Sequence, residues 1–439
     1  MSLAAIDATL LDATLLDGRI KGIPGGVAGF PLGSIGAKGW NLLREDLPLP
    51  VAVLRRSALA RNGKWMREFL ALSGAVIAPH GKTTMSPQLF RQQLEDGAWA
   101  MTVATAQQLR VCRDFGIARI VLANQLVGRQ AIAYVLDEIK RDPDFDFYCL
   151  VDSVANVEQL AAAARLAAPG RPLQLLLEGG MARGRTGCRD LAAALAVARA
   201  VKAAGAHLVL RGVEGFEGLI HSDSPKDDAA EVASFLDFLG AIAVACEAEV
   251  LFAADTLILS AGGSAFYDIV VERFRRAGIT RDFRLVIRSG CYLTHDSKMY
   301  REAFEHIRER RPDIESLGGG LEPAFEVWAY VQSRPEATKA ILTMGKRDVS
   351  YDVDLPMPLK WFRPGDSGAN AVRAVPAGHV VTGLNDQHCH MSVPTDSPLA
   401  VGDMVGFGIS HPCTTFDKWQ IVPLVDDDYT IVSAIKTFF

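Results

Sequence analysis

Phe147-Tyr-Cys-Leu-Val-Asp-Ser-Val-Ala-Asn-Val-Glu-Gln-Leu-Ala-Ala-Ala-Ala-Arg-Leu-Ala-Ala-Pro-Gly-Arg-Pro-Leu-Gln-Leu-Leu-Leu177 decides the fold. It opens on an apolar run, Phe147–Val151, and passes through an Ala-rich amphipathic segment, Val154–Leu166. It breaks at Pro169-Gly170 and turns apolar again at Leu173–Leu177. A short apolar run bounded by turn residues reads as a buried strand, and the longer periodic segment reads as a helix. Strand, helix and strand in that order make a βαβ unit, whose strands are parallel.

The alternation extends both ways, from about Val51 to about Tyr300. Apolar runs recur at Ala75–Ala78, Ala100–Val103, Ile120–Leu122, Leu208–Val213, Leu257–Ser260 and Leu285–Arg288, and Leu191–Ala204 is a second clear helical stretch. Eight strands in one succession predict an α/β fold with a (β/α)8 barrel over residues 49–300, with a doubly wound open sheet as the alternative. Residues 1–48 are irregular and Gly/Pro-rich from Gly22 to Gly39, so they predict an arm that packs on another part of the chain. After Tyr300 the rhythm changes. A basic helix, Glu302–Arg311, leads to Gly318-Gly-Gly and then to short β-like runs at Val349–Val353, His379–Leu384, Met404–Ile409, Ile421–Val425 and Thr430–Ile435. These predict a C-terminal antiparallel β domain over 301–439, to which the arm is expected to add.

The chain has 439 residues, 49% hydrophobic and 22% charged, which is the balance of a folded protein of two or three domains. Its net charge of −5 argues against nucleic acid as a partner. Charged residues interrupt each long apolar run, so no membrane span is expected. The N-terminus gains acid before base, unlike a secretory leader. Seven cysteines without paired spacing read as free thiols, and together these features place the chain in the cytoplasm.

Lys82, in Ala78-Pro-His-Gly-Lys-Thr-Thr84, follows the first barrel strand. Barrel active sites sit at the C-terminal strand ends. A desolvated lysine there has a lowered pKa and serves as a Schiff-base nucleophile; otherwise it is a surface lysine in a turn. Strand seven ends in Ser260-Ala-Gly-Gly-Ser264 and strand eight in Arg288-Ser-Gly-Cys-Tyr292, where barrels often bind phosphate. Gly262 and Gly263 let the backbone approach closely, and Ser264 can cap the next helix and donate to a phosphate. A lysine opposite a phosphate cup fits a pyridoxal phosphate (PLP) enzyme. After strand five, Arg185 stands where it reaches the cofactor ring or a substrate carboxylate, or pairs across the barrel rim. His411-Pro-Cys413 puts an imidazole and a thiol on one face of an extended segment, a pair suited to Zn²⁺ in an open, Lewis-acid site. The alternative is a satisfied histidine beside a buried cysteine. His388 and His390 share a face in the same way and are candidates for a place near the ion or an acid–base role.

These motifs, in this order, resemble fold-type III PLP enzymes of the alanine racemase-like group. The branch they look most like holds D-threonine aldolase and metal-dependent D-serine dehydratase. The resemblance runs through Leu47-Pro-Leu-Pro-Val, Pro79-His-Gly-Lys-Thr, Leu122-Ala-Asn-Gln, Val151-Asp-Ser-Val, the Gly-Arg-Thr-Gly187 turn, Gly262-Gly-Ser, Ser289-Gly-Cys-Tyr and His411-Pro-Cys. It implies that Lys82 is the Schiff-base lysine and the base at Cα, with His80, Arg185 and Tyr300 near the cofactor. It also implies that Gly262, Gly263, Ser264, Gly290 and Cys291 hold the phosphate, and that His411 and Cys413 bind a divalent metal, Zn²⁺ or else Mn²⁺ or Mg²⁺. A homodimer with shared active sites follows from the same resemblance, the β domain of one subunit closing the barrel mouth of the other. The chain departs from the branch at Thr84-Met85, where His-Lys is usual, which removes one proton acceptor for a β-hydroxyl and weakens an aldolase. The expected function is a PLP- and metal-dependent lyase of D-β-hydroxy amino acids, D-serine dehydratase-like, giving pyruvate and ammonia. The alternatives are a retro-aldol lyase giving glycine and an aldehyde, an amino acid racemase, and a non-catalytic PLP-binding protein.

Overall fold

The computed structural model describes residues 8–221, 224–253, 256–368 and 371–439. Eight strands follow one another in parallel: Val76–Ile77, Met101–Val103, Arg119–Gln125, Asp146–Val151, Leu173–Glu178, Leu208–Glu214, Leu257–Ala261 and Phe283–Ile287. The last pairs with the first. The first meets the second through Trp99 N–H to Ile77 O (2.8 Å), Thr102 N–H to Pro79 O (2.9 Å) and the His80–Thr102 bridge, so the sheet closes. That closure excludes the open doubly wound sheet.

Closure also explains why most of the strands read as largely apolar runs. Successive side chains point to opposite faces, and both faces are covered. Ala78, Ala100, Val121, Leu150, Leu176, Ile258 and Val286 fill the barrel interior with Tyr148. Ile77, Met101, Ile120, Cys149, Leu175, Leu259 and Ile287 belong to the larger core. Four helices of the outer layer start on side-chain caps, from Thr105, Ser153, Asp190 and Ser224, each taking a backbone N–H three residues on.

One outer helix, Pro225–Ala248, is long and apolar enough to cross a bilayer by length and composition, contrary to the expectation that no run would be. Its apolar character has a local cause: Val232, Leu236, Leu239, Ile242, Ala243 and Cys246 are buried in the core.

The boundary at residue 49 shifts. Val51–Arg55, assigned to the barrel, pairs antiparallel with Phe325–Trp328 and in parallel with Leu424–Val425, so this strand belongs to the β domain. A fully buried run carries no mark of which sheet it will join. The β domain is organised by the long strand Phe325–Glu336, absent from the sequence reading, as were Lys339–Leu342, Met357–Phe362 and Cys389–Ser392. The expected run at Val349–Val353 is a bend instead. The arm lies on this domain through Ile431 N–H to Trp40 O (2.9 Å), Leu42 N–H to Tyr429 O (3.1 Å) and the ion pair of Lys21 with Asp348 (2.6 Å).

Asn62 ties the barrel shell to the segment that leads into the β domain. It is fully buried on the helix Arg56–Ser73 and donates to Leu293 O (2.8 Å) and Glu322 O (2.7 Å) while accepting from Glu322 N–H (2.7 Å). Asn62→Ala leaves these backbone groups unpaired and is expected to lower stability by about 3 kcal/mol. Urea unfolding checks this; a midpoint within error of the parent chain would contradict it.

Candidate active site

The turn Gly81–Thr83 follows the first strand directly and leaves Lys82 exposed at the C-terminal mouth of the barrel. The loop after the eighth strand presses on it. A Cβ on Gly290 would stand 2.6 Å from His80 O and 2.7 Å from Thr83 Oγ1, so glycine is required for this approach. Burial first, then the charges of Lys82, Arg288 and Arg185, hold the His80 imidazole well below its ordinary pKa, so it is neutral.

Charged groups at the strand ends furnish the rest. Arg288 and Glu214, both buried, form an ion pair, and Arg288 Nη2 donates to Gly215 O (2.8 Å). Burial pushes Glu214 up to about 7 against the pull of Arg288. Glu178 accepts from Gln125 and from Thr186 Oγ1 (2.7 Å). His80 Nδ1, Arg288 Nε, Glu214 Oε2 and Ser260 Oγ are buried without a partner. A primary amine among orphaned polar atoms suits a planar cofactor that forms a Schiff base and has polar ring substituents, so the residues present fit PLP.

The phosphate cup differs from its reading. Gly262 N–H and Gly263 N–H donate to the carboxylate of Glu217 (3.0 and 2.7 Å), a fully buried side chain whose pKa burial raises. The two amides assigned to phosphate are therefore satisfied within the chain. Ser264 is not a helix cap either: the helix begins at Tyr267, with Phe266 before it. Ser264 does line a cavity of about 270 Å³ with Gly263, Phe216, Tyr300 and Arg310. Arg185 is exposed, its guanidinium 4.5 Å over the Phe216 ring. A larger groove, about 1010 Å³, lies between the arm and the β domain and contains none of these groups. The orphaned polar atoms and the lysine, not volume, locate the site.

The β domain brings His411 and Cys413 to the mouth of the barrel in the same chain. Cys413 Sγ lies 3.5 Å from Thr83 Oγ1, next to Lys82, and 3.7 Å from Cys291 Sγ. His411 Nδ1–H donates to Asp352 Oδ2 (2.6 Å), and Thr414 donates to the other carboxylate oxygen (2.7 Å). With Nδ1 engaged, Nε2 is the nitrogen left for an ion. Burial opposes the charged ring, but Cys413 and Asp352 lift the His411 pKa to about 9. Contact with Cys291, and then His411, hold the Cys413 thiol well below its ordinary range. An imidazole beside a poised thiol is a donor pair that fits Zn²⁺. Among the described residues no group of three or more His, Cys, Asp or Glu side chains is set to hold an ion.

His388 and His390 are not part of it. They belong to the hairpin of Val380–Leu384 and Cys389–Ser392, where His390 Nε2 meets Asn385 Oδ1 (2.6 Å). That hairpin is carried on the far half of Phe325–Glu336, whereas Met404–Gly408, which leads to His411, pairs with its near half. In the sheet order, Phe325–Glu336 and Lys339–Leu342 lie between Met404–Gly408 and Cys389–Ser392. Sequence reasoning also missed Glu214, Glu217 and Asp352. Glu214 was visible in principle, as a charge closing an apolar strand. Glu217 and Asp352 lie in loops with no local signal.

Two family models match the chain: the alanine racemase N-terminal domain over residues 54–280 and the serine dehydratase domain over residues 324–425. A D-threonine aldolase from Arthrobacter sp. is 22% identical over 411 residues, covering 91% of this chain and 94% of the relative. Among solved structures, D-threonine aldolase from Filomicrobium marinum superposes with a TM-score of 0.73 at 20% identity, over 91% of this chain and 97% of that one. D-threo-3-hydroxyaspartate dehydratase from Delftia sp. HT23 superposes with 0.68 at 20% identity, over 91% and 99%. That dehydratase has also been solved with a histidine replaced by alanine and, in a metal-free form, with a cysteine two positions further on replaced by alanine.

Proposed function

The chain belongs to the alanine racemase N-terminal domain family of fold-type III PLP enzymes, and from that premise we propose that it is a PLP- and metal-dependent lyase of D-β-hydroxy amino acids, converting D-serine to pyruvate and ammonia. The observation that carries this reading is the position of Cys413 beside the Lys82 turn, which brings the His411–Cys413 pair and the Lys82 amine to one barrel mouth.

Bound PLP supplies an electron sink for charge at Cα, and a bound divalent ion supplies a Lewis acid for a β-oxygen. Lys82 Nζ would hold the cofactor and would then be placed to take the Cα proton. His411 and Cys413 hold the ion. Arg288, kept in place by Glu214, sets a fixed positive charge beneath the site. The neutral His80 adds no further charge beside Lys82. The likeness to D-threo-3-hydroxyaspartate dehydratase supports elimination. A second reading, retro-aldol cleavage to glycine and an aldehyde, is supported by the likeness to two D-threonine aldolases. Purified enzyme given D-serine and D-threonine separately decides between them: 2-oxo acid as the main product supports elimination, and glycine with aldehyde from D-threonine at a far higher rate replaces it.

Asp352 is the positioning residue of the pair. Asp352→Ala is expected to weaken zinc binding about 10- to 100-fold while leaving the cofactor spectrum unchanged. Competition with a chromophoric chelator measures the affinity; equal affinity in both proteins would remove Asp352 from this role.

The active unit is a homodimer in this reading, because Lys82 is exposed on the single chain and a reaction that excludes water needs a cover. Light scattering at assay concentration tests it, and a fully active monomer would count against it. Seven unpaired cysteines support a reducing, cytoplasmic setting.

A further inference from the structure

Cys291 and Cys413 stand 122 positions apart in sequence, yet their sulfurs are 3.7 Å apart. Cys291 comes from the loop after the eighth barrel strand, and Cys413 opens the short helix Cys413–Phe416 of the β domain. Thr83 Oγ1 touches both sulfurs, at 3.8 Å and 3.5 Å. Cys413 is partly exposed at the mouth, while Cys291 lies behind it at 4% exposure. Cys112, Cys149, Cys188, Cys246 and Cys389 are all buried. One accessible thiol backed by a second in contact is the arrangement of a reacting and a resolving cysteine. A disulfide needs the sulfurs to close from 3.7 Å to about 2.0 Å, a shift of about 1.7 Å.

We propose that Cys413 and Cys291 form a hydroperoxide-reactive dithiol site at the mouth of the barrel. Cys413 sulfur attacks hydrogen peroxide, the O–O bond breaks, one oxygen stays on sulfur as a sulfenic acid, and the other leaves with the thiol proton as water. Cys291 sulfur then attacks Cys413 sulfur, the S–S bond forms, the S–O bond breaks, and a second water carries away the Cys291 proton. Two thiols are oxidised to one disulfide, and one peroxide is reduced to two waters. The bond ties the β domain to the barrel beside Lys82 and removes the sulfur donor of the His411–Cys413 pair. This last consequence rests on the proposed metal role, whereas the disulfide itself does not.

The test uses the full-length holoenzyme, either stripped with a chelator or reloaded with Zn²⁺, and treated with hydrogen peroxide. In the stripped protein two thiols per chain are expected to disappear, the mass to fall by about 2 Da, and a non-reducing digest to yield the peptide joined through Cys291 and Cys413. Dithiothreitol should restore both thiols. Cys291→Ser should give no cross-link and leave a dimedone-reactive sulfenic acid on Cys413. If stripped parent protein yields no such peptide, whether its thiols stay reduced or Cys413 is overoxidised, the dithiol site is wrong. In the zinc-loaded enzyme the cross-link should form at least about tenfold more slowly. Equal rates with and without zinc would keep the dithiol site and overturn the metal reading.

Discussion

Lys82→Ala is expected to lose the visible absorption of the Schiff base and to lower turnover of D-serine by about 10³-fold or more. In the proposed mechanism two functions go with one nitrogen: attachment of the cofactor and transfer of the Cα proton. The second alone is worth roughly 10²–10⁴ in rate when a positioned base is removed. The surroundings make substitution by another residue difficult. His80, its pKa held well below the ordinary value, is a weak base, Glu214 is bound to Arg288, and Glu178 is engaged by Gln125 and Thr186. Borohydride reduction of the parent enzyme should fix the cofactor on Lys82, located by peptide mapping. A label on any other lysine, or a Lys82→Ala protein that keeps both its colour and its rate, would remove Lys82 from the centre of the mechanism.

Chelation of the metal is expected to leave PLP bound and its spectrum little changed while pyruvate release from D-serine falls by about 10³-fold. Hydroxide is a poor leaving group, and a Lewis acid supplies several kcal/mol at the β-oxygen without needing a proton. In the proposed mechanism Lys82 is committed at Cα. Nδ1 of the His411 ring is held by Asp352, and in the proposed mechanism Nε2 is given to the ion, so the ring is not free to act as the acid. His411→Ala and Cys413→Ala should behave like chelated enzyme, and excess Zn²⁺ should rescue Cys413→Ala only in part. Because the pair and the Lys82 turn belong to different domains, loss of the ion is expected to spare the cofactor. An unchanged rate after complete removal of metal, verified by elemental analysis, would make the pair structural.

Much of the architecture was legible along the chain. All eight barrel strands lie where apolar runs such as Phe147–Val151 and Leu173–Leu177 predicted them, and the helices Val154–Ala167 and Leu191–Ala203 end within one residue of their periodic segments. Strand and helix periods are written in neighbouring residues, so they survive without knowledge of the fold. Lys82 and the pair His411 and Cys413 stood out for the same reason, since each sits in a compact motif. The β domain was less legible. Its central strand, Phe325–Glu336, bends from one set of partners to another, and Val51–Arg55 crosses from the N-terminal side to join it.

The meetings between distant residues were invisible along the chain. Nothing in the spacing told that Gly262 and Gly263 would give their N–H groups to Glu217, that Asp352 would hold His411, or that His390 would lie on another hairpin. Nor could spacing show that Cys413 would reach the barrel of its own chain and touch Cys291. Periodicity depends on a residue and its near neighbours, whereas a contact across 59 positions, as for Asp352 and His411, or 122, as for the two cysteines, depends on how closed sheets and buried cores orient whole domains.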